Sequence, residues 1–147
     1  MSLKEQLNES MKTAMKARDD LRLSAVRMVR SAVKNREIEQ KKELNDQEII
    51  EVISTLAKQR RESIRLYRDG NRLDLAEKEE SELEILLGFL PAQLSPTEID
   101  ALVDQVIAET GAQGAKDMGR VMKALTPLTA GRADGRVVSE TVKRKLA

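Results

Sequence analysis

Cysteine, histidine and tryptophan are all absent from this 147-residue chain. Without cysteine there are no disulfides and no thiolate ligands; without histidine as well, the usual imidazole base, thiol nucleophile and soft-metal site are excluded. Carboxylates, lysines and hydroxyls remain, so catalysis is disfavoured but not forbidden. One Phe and one Tyr make the core almost wholly aliphatic and leave few rings on which single-stranded bases could stack. No apolar run approaches the roughly 20 residues that span a bilayer, so no membrane partner is expected. The start, MSLKEQLNES, lacks an apolar signal-peptide core, which sets a cytoplasmic expectation.

What is present is charge. Asp, Glu, Lys and Arg make up 35% of the residues, yet the net charge is only +1. The distribution is uneven: residues 1–40 carry nine bases against six acids, residues 63–96 four against seven, and Gly111–Ala147 eight against three. Basic ends around an acidic middle describe a polarised surface.

High charge with few β-branched runs points to amphipathic helices. Helix starts are legible: Ser2 with Glu5 and Asn45 with Glu48 have capping-box spacing, and Ser95-Pro96-Thr97-Glu98 adds proline at the first helical position. The pattern predicts helices over 2–17, 20–42, 46–68, 72–89, 96–110, 117–129 and 135–146, with no strand. The fold class is all-α, an N-terminal four-helix unit over 1–92 followed by a three-helix tail domain over 96–147. Asp69-Gly70-Asn71 predicts an antiparallel hairpin between the third and fourth helices, and Leu90-Pro91 is expected to end the fourth.

The tail holds the strongest chemical pattern. In KDMGRVMKAL, Met118, Val121, Met122 and Leu125 fall on one helical side, and Lys116, Arg120 and Lys123 on the other. The turn supplies Arg132, and the last helix supplies Arg136, Lys143 and Arg144. Such cations can track a phosphate backbone, where charge neutralisation supplies much of the affinity. They can equally be solvated outer faces of ordinary helices. Gly119 within a helix reads first as a close approach of another helix and second as an approach of an RNA backbone. Gly131 is expected as a left-handed cap, and Asp134 as the N-cap of the last helix.

The order Gly119, Met122, Gly131, Arg132, Ala133 resembles the YqeY family and the C-terminal tail domain of the B subunit of the tRNA-dependent amidotransferases (GatB). The YqeY likeness runs through the whole chain, including LYRDGNRLDLAEKE and LPAQLSPTEI; the GatB likeness is confined to the tail. The resemblance implies a non-catalytic tRNA-associated module, with Lys116, Arg120, Lys123, Arg132, Arg136 and Lys143 as phosphate contacts. It also implies, as an alternative, a component of or accessory to a glutamine-dependent carbon–nitrogen ligase, although the amidotransferase catalytic regions lie outside the similar stretch. The implied partners are tRNA and an amidotransferase or other translation-related protein. A third reading is a helical protein–protein adaptor, supported by the acidic fourth helix.

Three further patterns stand apart. Arg60 projects from the apolar face of the third helix and Glu79 from that of the fourth, ten residues before the turn and nine after it. That spacing predicts a partly buried ion pair with a structural role rather than a catalytic one. Arg27, Arg30 and Lys34 form a stripe on the second helix, read as facing water because Glu37 and Glu39 follow. Glu77, Glu79, Glu80, Glu82 and Glu84 scatter around their helix, so no metal is expected there. No catalytic residue and no cofactor are expected.

Overall fold

The computed structural model describes residues 1–147, in seven α-helices and one short 3-10 turn without strands. The all-α expectation holds. The helices are α1 (Leu3–Ala17), α2 (Asp20–Gln40), α3 (Asp46–Asp69), α4 (Leu73–Leu87), α5 (Pro96–Thr110), α6 (Met118–Thr129) and α7 (Gly135–Leu146), with the 3-10 turn at Ala115–Asp117. The chain divides into two compact units, Met1–Pro91 and Ala92–Ala147. No helix is long and apolar enough to cross a membrane.

Local chemistry explains most boundaries. Ser2, Asn45 and Ser95 each accept a hydrogen bond from the backbone N–H three residues on, and Glu5, Glu48 and Glu98 each accept one from the N–H of their cap residue. These pairs satisfy donors that a helix start leaves orphaned. The α3–α4 turn is closed by Asn71, not by its glycine: Asn71 adopts φ 57° while Gly70 stays at −83°. Asparagine tolerates the left-handed region better than most side chains. Helix α4 stops at Leu87, short of the 72–89 expectation, with Gly88 as its cap. Phe89 and Leu90 then leave the helix to pack against the core of the first unit.

That core is aliphatic, as one Phe and no Trp require. Leu7, Val26, Val29, Ile49, Ile53 and Leu86 are almost fully shielded, drawn from all four helices. Lys4 Nζ lies 2.6 Å from Glu37 Oε2, and the same oxygen accepts the Leu44 N–H at 2.9 Å. The carboxylate thereby ties the start of α1 to the end of α2 and the turn beyond it. The second unit closes on Val103, Val106, Val121, Leu125, Val138 and Val142. Its linker is held by two hydrogen bonds: Leu94 N–H donates to Arg132 O at 2.8 Å, and the Gln93 side-chain Nε2 donates to Gly131 O at 2.8 Å.

Candidate nucleic-acid interface

The α6 pattern folds as its spacing demands. Val121, Leu125 and Thr129 turn inward, while Lys116, Arg120 and Lys123 are exposed. On α7, Val138, Thr141, Val142 and Leu146 are buried, with Arg136, Lys143 and Arg144 exposed.

The cations differ in how far their charge is compensated. Arg120 Nη2 sits 3.4 Å from Asp117 Oδ2, and Arg136 Nε donates to Glu140 Oε1 at 3.0 Å. Arg132 is half-buried in the turn, its Nε 3.5 Å from Ala92 O. Arg144 and Lys145 bind α5, to Asp100 at 2.8 Å and Asp104 at 2.8 Å respectively. Lys116, Lys123 and Lys143 have no carboxylate within 4.0 Å and remain exposed. The six nominated residues therefore split into three free ammonium groups, two guanidinium groups with acidic neighbours, and one in a structural turn. Exposed pairs are worth about 0–1 kcal/mol each, so a phosphate can compete for Arg120 and Arg136 at little cost.

Gly119 departs from its first reading. A methyl group built on it would meet nothing within 4 Å, so no neighbouring helix explains the glycine. It lies at the second position of α6, between Lys116 and Lys123 in sequence. What it offers is an open approach to backbone. Gly131 does adopt the left-handed region, at φ 73°, and Asp134 caps α7 by accepting the Arg136 N–H at 3.0 Å.

In the first unit, Arg60 Nε lies 3.1 Å from Glu79 Oε2 and 2.9 Å from Glu82 Oε2, with side-chain exposures of 23%, 18% and 13%. The hairpin brings Arg60 and Glu79 together. Glu82 is an addition to the expected pair, although its position three residues after Glu79 puts it on the same helical face. The buried Arg60 Nε and Glu79 Oε2 lack an aligned hydrogen-bond partner, so these are charge contacts rather than hydrogen bonds. Arg60 also donates to the Met28 sulfur, linking the cluster to α2. Glu80 pairs with Arg68. Three of the five α4 glutamates thus face arginines, while Glu77 and Glu84 stay exposed.

The protein named "Altered inheritance of mitochondria protein 41, mitochondrial" from Lachancea thermotolerans is 43% identical over 107 residues, covering 70% of this chain and 57% of the relative. Its namesakes from Vanderwaltozyma polyspora and Kluyveromyces lactis are each 38% identical, over 104 and 106 residues, covering 69% and 70% of this chain and 56% and 57% of their own. The chain thus spans little more than half the length of these curated relatives. Their naming corrects the cytoplasmic expectation: a missing signal-peptide core bears on secretion and does not separate cytoplasm from mitochondrion. Residues 4–146 match the family described as Yqey-like protein, and the chain belongs to that family.

Proposed function

We propose that this chain is a non-catalytic, tRNA-associated module that contacts the folded tRNA body through its C-terminal unit. The observation that carries the reading is the set of uncompensated, exposed ammonium groups at Lys116, Lys123 and Lys143, two of them on either side of the unobstructed Gly119. Charge without aromatic rings suits recognition of backbone and shape rather than of base identity. Arg120 and Arg136 join as contacts whose present partners are exposed and readily exchanged. The likeness of the tail to the amidotransferase B subunit supports tRNA as the polyanion.

A gel shift of bulk tRNA tests this. Wild-type protein retards tRNA at low salt, and the triple charge reversal Lys116→Glu, Lys123→Glu, Lys143→Glu abolishes the shift while retaining its helical circular dichroism. Equal retardation by wild type and variant would overturn the assignment to the tail. Turnover of glutamine, ATP and misacylated tRNA by the purified chain would overturn its non-catalytic character.

A further inference from the structure

Between α1 and α2 lies a cleft of about 510 Å³, within the range of small-molecule sites. Its lining is divided by chemistry. Leu7 and Val33 lie at its base but are only 1% and 4% exposed, so the apolar surface open to a ligand is that of the methylene stems of Lys4, Arg27, Arg30 and Lys34. Arg27, Arg30 and Lys34, the stripe expected to face open water, line the same space from α2. Seven residues of helix separate the first of these from the last, roughly 10 Å along the axis.

None of the three has a carboxylate partner. Arg30 Nη1 donates to the Met11 sulfur, a soft neutral acceptor that leaves its charge uncompensated. The one acid in the lining is Glu37, and it is already engaged by Lys4 and by the Leu44 N–H. Asn8 and Ser31 add neutral hydrogen-bonding groups. Aliphatic stems that carry uncompensated cationic heads match a ligand with one apolar end and one multiply charged end.

We propose that the α1–α2 cleft binds a small organic phosphate, with its apolar portion against those methylene stems and its phosphate held by Arg27, Arg30 and Lys34. Guanidinium groups bind phosphate through paired N–H donors, and two charges on the ligand use what a single carboxylate would leave unmatched. A polynucleotide fits less well, because its sugar–phosphate backbone has little apolar surface to set against the stems. The assignment is independent of the tRNA reading, which concerns the other unit.

The test is nitrogen–proton correlation NMR on the full chain, titrated with phenyl phosphate and separately with inorganic phosphate. Phenyl phosphate gives saturable shifts at the amides of Leu7, Asn8, Ser31, Val33 and Lys34; inorganic phosphate moves the same amides more weakly. The pair Arg27→Glu, Lys34→Glu weakens binding by about tenfold or more, and the milder pair Arg27→Gln, Lys34→Gln by less. Lys116→Glu leaves phenyl phosphate binding unchanged. Shifts that fail to saturate, that spread over every cationic surface, or that survive in both cleft variants overturn the proposal. Equal affinity for both probes overturns the organic part of it. So does tRNA shifting these amides while phenyl phosphate leaves them unmoved.

Discussion

Replacing Arg60 by methionine keeps most of the side-chain volume on α3 and removes the cation that contacts both Glu79 and Glu82. At an effective dielectric of about 20, opposite charges roughly 4 Å apart attract by about 4 kcal/mol. Here two carboxylates lie within 3.1 Å of Arg60 Nε. Much of that attraction offsets the cost of taking three charged groups largely out of water. Breaking a fully buried pair typically costs about 3–5 kcal/mol. These side chains keep between 13% and 23% of their exposure, and the Arg60 Nε–H is poorly aligned. A loss of about 2–3 kcal/mol is therefore expected for Arg60→Met. Tyr67 is the chain's one tyrosine and belongs to α3, so its fluorescence during urea denaturation reports the unit that holds the cluster. The midpoint should fall with the slope unchanged. The triple variant Arg60→Met, Glu79→Leu, Glu82→Leu should return to within about 1 kcal/mol of wild type, because apolar replacement of a complete buried cluster is often neutral. A cost below about 0.5 kcal/mol for Arg60→Met would mean that the contacts behave as an ordinary surface pair, and would refute the reasoning.

Two further outcomes follow from the same geometry. Lys4 and the Leu44 N–H hold the Glu37 carboxyl below its ordinary value of 4.5, and Lys42 with the Asn45 N–H does the same for Glu48. The unfolded chain therefore binds more protons than the folded one in the window from 4.5 downward. The associated stability is present above pH 4.5 and is lost as pH falls through the folded values. Lys4 is raised above 10.5 chiefly by its bond to Glu37, so its contribution is full below 10.5 and disappears only as pH climbs through the raised value. Thermal melts across pH should show the acid limb, and Glu37→Gln should flatten it; an unchanged limb would contradict the Lys4–Glu37 link. Gly119→Ala should stabilise the second unit by a few tenths to about 1 kcal/mol, since the new methyl meets open space and alanine favours the helix. The same variant should weaken tRNA binding if backbone approach matters; a destabilised protein would show that Gly119 is packed after all.

The helix starts are readable because capping is local: Ser2, Asn45 and Ser95 announce themselves within four residues. Ends are less so. Arg18 and Lys41 terminate α1 and α2 in the left-handed region with no glycine to signal it, and α4 ends at Gly88 rather than at the more conspicuous Pro91. The meeting of Arg60 with Glu79 is accessible because one short turn fixes the register of both helices. Partners across longer separations are not. Whether Arg144 finds Asp100, or Lys4 finds Glu37, depends on how helices cross, which the periodicity of either helix alone does not contain. Arg27, Arg30 and Lys34 are exposed, as a stripe facing water should be, but that they also line a cleft facing α1 depends on the same helix crossing. Gly119 shows a different gap, a packing role inferred from residue type where the space around it is empty.

The salt dependence of tRNA affinity tests the central claim most directly. If Lys116, Lys123 and Lys143 each neutralise a phosphate, changing all three to alanine should lower the slope of log affinity against log salt by about 2–3, at roughly 0.7–0.9 for each phosphate no longer neutralised. Parallel lines for wild type and the lysine triple variant would contradict the account, whatever their absolute affinities.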